Sequence, residues 1–166
     1  MQNKGASPQL INLLNRGVAR EMGVSIQYML QHSVWNSKES TASTGITDRG
    51  RSKFIRDRSA AFLPGLTLDL KSIAVAEMRH AGDIAERIVQ LGGEPSTCPD
   101  EVIIGKTPEE MLELNRERER GAIELYQEII NLAEQEGDEI TLNMFKRILA
   151  EEIQHHQVFS ELLETI

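Results

Sequence analysis

The chain has 166 residues, of which 26 are acidic and 18 are basic, so its formal net charge is −8. A chain of this length can bury a core without cross-links, and its single cysteine, Cys98, excludes an intrachain disulfide and a zinc site built on several thiolates. The acidity argues against a protein whose whole surface binds nucleic acid. The sequence has neither a signal-peptide pattern nor a long apolar run, so we expect a cytoplasmic protein with no membrane partner.

Apolar residues spaced alternately by three and four predict four helices, over about residues 8–36, 64–91, 108–136 and 139–164. Local start and stop signals agree with these bounds. Ser7-Pro8 precedes the first helix, Gly92-Gly93 follows the second, Thr107-Pro108 with Glu110 begins the third, and Gly137 ends it. The pattern predicts an all-α protein, a four-helix bundle that forms a single domain over residues 1–166.

Two connections are long. The extended, proline-bearing link between helices two and three predicts a crossover that makes these two helices parallel. The insertion at about residues 37–62 holds six basic residues and three acidic ones. Loops of this length are functional or flexible, so we keep two interpretations: a solvated excursion, or a contact site for a neighbouring subunit or a polyanion through the basic stretch 49–58.

Each predicted helix carries one glutamate in the middle of its apolar stripe: Glu21, Glu77, Glu119 and Glu152. Glutamate is rarely buried unless it is paired. Four ionised carboxylates that converge inside one bundle would repel each other and lose hydration worth several kcal/mol each. The sequence therefore predicts that cations lie among them.

Histidine follows two of these glutamates three residues later, as His80 after Glu77 and His155 after Glu152. Residues at i and i+3 share a helix face, so each pair can bind one ion. His156, at i+4 from Glu152, competes with His155 for the inward position. Four carboxylates and two neutral imidazoles match two divalent cations, and the mixed oxygen and nitrogen donors favour iron or manganese, with zinc as a redox-inactive alternative.

Tyr28 lies two turns beyond Glu21 on the same predicted helix face. Its hydroxyl is in a position to hydrogen-bond a carboxylate that binds metal. An ordinary core tyrosine is the alternative interpretation.

At these residues the chain resembles the bacterioferritins, members of the ferritin-like di-iron carboxylate proteins. The resemblance rests on REMGVSIQYML around Glu21, EMRHAGDI from Glu77, IGKTPEEML before Glu119, and LAEEIQHH around Glu152. It implies a ferroxidase that oxidises Fe(II) with O₂ or peroxide and stores iron, with two iron ions per subunit. The catalytic metal ligands implied are Glu77 and Glu152 as bridges, Glu21 and His80 on one iron, and Glu119 and His155 on the other.

The resemblance also implies that Met78 binds haem b at a twofold subunit interface. Met78 follows Glu77 by one residue and so points about 100° away from the inward stripe, as an interface ligand requires. The alternative is ordinary interface packing.

The assembly implied is a homo-oligomer built from dimers, with a shell of 12 or 24 subunits. Two departures from the family pattern bear on the shell size: the chain ends without a fifth helix, and the insertion at 37–62 is unusual. A Dps-like miniferritin that consumes peroxide is therefore one alternative, and a dimeric dimetal oxidase or catalase is another. A non-enzymatic helical assembly protein that binds a partner through residues 49–58 is the third.

Overall fold

The computed structural model of the protein describes residues 6–44 and 64–166. These residues form four helices: α1 (Pro8–Thr44), α2 (Pro64–Gln90), α3 (Pro108–Glu136) and α4 (Glu139–Thr165). The described ranges contain no strand, which confirms the all-α prediction. None of the helices in these ranges has the apolar length that a bilayer-crossing segment needs. The basic stretch 49–58, with most of the predicted insertion, lies outside the described residues.

Local sequence signals set most of the helix ends. The Ser7 hydroxyl accepts a hydrogen bond from the Leu10 amide, and the Thr107 side chain accepts one from the Glu110 amide, each at 3.1 Å. Gly137 ends α3 with φ of 74°, in the left-handed region that glycine adopts without strain. The predicted caps at these three positions are confirmed.

The predicted end of α1 near residue 36 is wrong, because the helix continues to Thr44. Residues 37–44 are mostly Ser and Thr, which are weak helix formers but not helix breakers. Neither glycine nor proline occurs between Trp35 and Gly45, so no strong stop signal precedes Gly45.

The four helices form two packed pairs, α1 with α2 and α3 with α4. The connection from α2 to α3 runs along α1 in the direction of that helix. Three hydrogen bonds mark its course: Ser96 N to Asn15 Oδ1 at 2.6 Å, Asp100 N to Ala19 O at 2.8 Å, and Gln31 Nε2 to Ile104 O at 3.0 Å. Since the link travels the length of α1, α3 begins beside the C-terminal half of α1. Helices α2 and α3 are therefore parallel, as the long crossover predicts.

The bundle interior contains two separate apolar clusters. One cluster includes Leu14, Ile84, Tyr126 and Phe145, and the other includes Val24, Leu70, Leu112 and Phe159. On every helix the inward glutamate lies in sequence between residues of the two clusters. The fold therefore places a polar layer across the middle of the bundle, with apolar packing on both sides.

Candidate metal centre

The polar layer brings together the six metal ligands predicted from the sequence. Five of these side chains are almost wholly buried, and His155 is 13% exposed. Their ligand atoms form two groups in which all atoms lie within 4.8 Å of one another. The groups consist of Glu21, Glu77, His80 and Glu152, and of Glu77, Glu119, Glu152 and His155. The two groups share Glu77 and Glu152, so each shared carboxylate has its two oxygens available to neighbouring positions.

Packing decides between the two adjacent histidines of α4. The Nδ1 atom of His155 lies 2.8 Å from Glu77 Oε1 and 3.7 Å from Glu152 Oε2. His156 belongs to neither ligand group found in the described part of the chain. The i+3 spacing therefore gives the inward imidazole in α4, as it does in α2.

Glu21 provides a test of whether the layer fits a metal. Its side chain is buried, and neither carboxylate oxygen has a hydrogen-bond partner within the described ranges. Burial, together with the Glu152 and Glu77 carboxylates, raises the pKa of Glu21 well above its ordinary value. A buried carboxylate without a partner is unfavourable by several kcal/mol. A bound cation removes this penalty, and the donor set of the layer therefore fits a metal ion.

When no metal is bound, the protonated imidazoles of His80 and His155 supply positive charge among the carboxylates. Burial alone would lower their pKa values, but hydrogen bonds with Glu152 and Glu77 raise the pKa of His80 to about 10 and that of His155 to about 9. The metal-free layer is thus stabilised by protons on the imidazoles. A metal ion that binds through their nitrogens has to replace these protons.

Tyr28 contacts the layer from α1. Its hydroxyl donates a hydrogen bond to Glu119 Oε1, and its ring packs against Phe159 with the ring centroids 5.4 Å apart. Burial and the Glu119 carboxylate raise the pKa of the Tyr28 phenol, so it remains a donor at neutral pH. Tyr28 is therefore a buried core aromatic whose hydroxyl also contacts a carboxylate of the layer, and its role beside a metal ligand stays a prediction.

Glu151 reaches the layer from its edge, although it is not among the residues predicted from the sequence. Its Oε2 lies 3.1 Å from His80 Nε2, and its side chain is one-third exposed. The only sequence signal was its position beside Glu152. Adjacent residues point in different directions on a helix, so contact with His80 on α2 depends on how the two helices pack.

Met78 lies outside the polar layer, on the outer face of α1 and α2. Its side chain is half exposed in a surface groove of about 490 Å³. The groove is lined mainly by apolar side chains, including Ile26, Met29, Leu30 and Val75, with Arg79 as a charged neighbour. The outward direction predicted for Met78 is confirmed.

Comparison with known proteins identifies the class to which this fold and its ligand groups belong. The ferritin family model, described as a ferritin-like domain, matches residues 60–166. The chain therefore belongs to the ferritin-like family.

Within that family the chain is similar to bacterioferritins. It is 32% identical over 148 residues to the bacterioferritin of Desulfovibrio desulfuricans, covering 89% of this chain and 70% of that protein. It is 34% identical over 83 residues to the bacterioferritin of Rhodobacter capsulatus, and this match covers 49% of this chain and 52% of that protein. A crystal structure of the Desulfovibrio desulfuricans protein, which describes its diiron site in different catalytic states, superposes with a TM-score of 0.71 at 30% identity, covering 94% of this chain and 78% of that one. The predicted ferritin-like fold and the resemblance to bacterioferritins are confirmed.

Proposed function

We propose that this protein is a ferroxidase that oxidises Fe(II) with O₂ or peroxide in iron storage and detoxification. The observation that carries the proposal is the pair of ligand groups that share Glu77 and Glu152. Two ions held by shared carboxylates lie close enough to act on one oxidant molecule. The diiron site of the similar bacterioferritin supports the same chemistry.

The ligand assignment follows the two groups. Glu77 and Glu152 would bridge two bound ions, because among the described residues these two belong to both groups. Glu21 and His80 complete one position, and Glu119 and His155 complete the other. We propose two iron ions per subunit, with manganese or zinc able to bind the same donors.

The chain contributes binding, orientation and exclusion of bulk water. Two Fe(II) ions supply the two electrons that convert O₂, with two protons, to hydrogen peroxide. The apolar clusters on both sides of the layer keep water from its buried carboxylates. The Tyr28 hydroxyl donates a hydrogen bond to one oxygen of Glu119 and so orients the other oxygen towards the metal ligands of the polar layer.

Stopped-flow absorbance after aerobic addition of Fe(II) tests the proposal. Wild-type protein should form ferric product faster than buffer does. Glu77→Ala removes a shared ligand and should lower the initial rate by at least about 100-fold. Glu113→Ala, which removes an exposed carboxylate on α3, is the matched control and should keep the wild-type rate. A wild-type rate equal to that in buffer, or an unchanged rate in Glu77→Ala, would contradict the proposal.

Metal content distinguishes the ferroxidase from a dimanganese catalase on the same scaffold. Protein purified from its native host should contain iron in excess of manganese. It should not disproportionate peroxide before iron is added. Manganese at two ions per subunit, with peroxide disproportionation, would favour the catalase.

We place the reaction in the cytoplasm, where the single exposed cysteine, Cys98, would stay reduced.

We further propose that a second copy of the chain covers the groove around Met78 and that haem b binds between the two copies. The groove is apolar, as a porphyrin face requires, and the Met78 thioether is exposed within it. In a twofold dimer, the Met78 side chains of both copies would be available to hold one haem. Arg79 at the edge of the groove supplies a positive charge for a propionate.

Haem titration and sedimentation test this assembly. Added haem b should give the absorption bands of a low-spin haem at one haem per dimer. Met78→Leu keeps the apolar volume and should remove these bands while the dimer persists. A monomeric protein, or unchanged bands in Met78→Leu, would contradict the proposal. A shell of 12 or 24 subunits would appear as a larger species in the same sedimentation experiment.

A further inference from the structure

The two histidines of the polar layer have different surroundings. His80 contacts carboxylates through both ring nitrogens: Nδ1 lies 2.9 Å from Glu152 Oε1, and Nε2 lies 3.1 Å from Glu151 Oε2. A carboxylate that accepts the Nε2 proton holds the ring in one orientation and leaves the Nδ1 lone pair available for a metal ion. His80 is therefore oriented for metal binding by a residue that is not itself in either ligand group.

Glu151 is in turn held by contacts with two helices. Its Oε1 accepts a hydrogen bond from Arg147 Nη1 at 3.2 Å, one turn earlier on α4. The other terminal nitrogen of Arg147 donates to Asp83 Oδ2 on α2 at 2.6 Å. These contacts form a continuous chain from the His80 ring to the surface of the α2–α4 side. The chain restricts the position of the Glu151 carboxylate and so the orientation of the ring.

His155 lacks the corresponding carboxylate. Both histidines follow a glutamate by three residues, His80 after Glu77 and His155 after Glu152. The residue before the glutamate differs: it is Glu151 before Glu152 and Ala76 before Glu77. Ala76 is buried and has no side-chain acceptor. Within the described ranges, the ion pairs of His155 join only its Nδ1 to carboxylates, and none involves its Nε2. Among the described residues, no carboxylate pairs with His155 Nε2 to fix the orientation of that ring.

We propose that Glu151 is a positioning residue that makes the His80 position the tighter of two metal positions, and that Ala76 leaves the His155 position weaker, so that metal ions bind one after the other. This inference rests on the proposed dimetal centre. A carboxylate behind a metal-binding imidazole commonly contributes about 10–100-fold in metal affinity. The two affinities of the wild-type protein should therefore differ by at least about tenfold.

Titration of the metal-free protein with Co²⁺ tests the inference, because Co²⁺ reports binding by calorimetry and by its visible spectrum without turnover. Glu151→Ala should weaken the tighter step by about 10–100-fold and change the weaker step less than about threefold. Glu151→Gln keeps an acceptor oxygen and should recover most of the lost affinity. His155→Ala should remove the weaker step and so assign it. Glu164→Ala, an exposed glutamate on α4, is the matched control and should leave both steps unchanged.

The outcomes separate the inference from the function on which it rests. Failure of the wild-type protein to bind two Co²⁺ ions would overturn the proposed dimetal centre itself. Two equal affinities in the wild type, or an equal loss at both steps in Glu151→Ala, would overturn the positioning role alone. Thermal melts of the metal-free variants provide the folding control. Glu151→Ala and Glu151→Gln should melt within a few degrees of each other, whereas only the alanine variant should show the full 10–100-fold weakening of the tighter step.

Discussion

Replacement of Glu21 by glutamine should raise the stability of the metal-free protein and lower that of the metal-loaded protein. Glu21 is buried, and its two oxygens have no hydrogen-bond partner in the described part of the chain. Burial and the carboxylates beside it raise its pKa. Its ionised form is therefore destabilising without metal, whereas metal binding uses that same charge. A neutral side chain of the same shape removes both effects.

The expected magnitude follows from the burial of this carboxyl group. A carboxyl group kept protonated at pH 7 costs about 1.4 kcal/mol for each pH unit between its ordinary pKa near 4.3 and pH 7, an upper bound of about 3.7 kcal/mol. The buried amide of glutamine loses about 1–3 kcal/mol in unmet hydrogen bonds. The net gain for the metal-free variant is therefore about 1–2 kcal/mol. For a chain of this size, that gain corresponds to a rise of about 2–8 °C in the melting temperature.

The metal-loaded protein should show the opposite order. A ligand at a thousand times its dissociation constant stabilises the native state by about 4.1 kcal/mol. Loss of one carboxylate ligand lowers metal affinity and removes much of this stabilisation in the variant. The wild type should therefore melt at a higher temperature than Glu21→Gln when metal is bound, and at a lower temperature when it is absent.

Differential scanning calorimetry of chelator-treated and Co²⁺-saturated protein measures both differences. The pH dependence gives a further check. Because the pKa of Glu21 is raised in the native state, its penalty is absent below about pH 4, where the group is protonated in the native and unfolded states alike, and grows as pH rises. The stabilisation by Glu21→Gln in the metal-free protein should accordingly shrink as the pH falls from 7 and should reverse near pH 4, where only the loss from the buried amide remains. Glu113→Gln, on an exposed site, should change neither form. A metal-free Glu21→Gln variant that is less stable than the metal-free wild type at pH 7 would refute the reasoning.

Two further predictions concern the scaffold and are tested by urea denaturation. A Cβ on Gly23 would lie 2.9 Å from the Asp100 backbone oxygen of the crossover, so Gly23→Ala should destabilise despite a helix-propensity gain of about 1 kcal/mol. At Gly82 an added Cβ would meet no side chain and no other helix within 4 Å, so Gly82→Ala should stabilise the protein by about 0.5–1 kcal/mol. Equal effects at both glycines would contradict this steric explanation. Asp138 caps α4 and pairs with the buried Arg87 at 2.7 Å. Burial alone would raise the pKa of Asp138, but hydrogen bonds from Thr141 and Arg87 lower it. Asp138→Asn should lower the free energy of unfolding by about 1–2 kcal/mol at pH 7, and this loss should fade below about pH 4 as the wild-type carboxylate is protonated. A loss that stays constant with pH would show that the ion pair is unimportant.

The sequence by itself determined which face of each helix turns towards the bundle interior. Helical periodicity is a local property, so a glutamate in an apolar stripe and a histidine three residues later share a face wherever the helix packs. Caps are equally local, which is why Ser7, Thr107 and Gly137 were predictable. The end of α1 was not predictable, because a run of weak helix formers without glycine or proline gives no clear stop signal.

Only the tertiary structure decided which side chains meet across helices. His155 and His156 are both near the inward face of α4, and the packing of α4 against α2 brings His155 to Glu77. The contact of Tyr28 with Glu119 requires α1 to pack against α3. The contact of Glu151 with His80 depends in the same way on the spacing of α2 and α4. Such contacts join residues far apart in sequence, and a spacing rule along one helix contains no information about the distance to another.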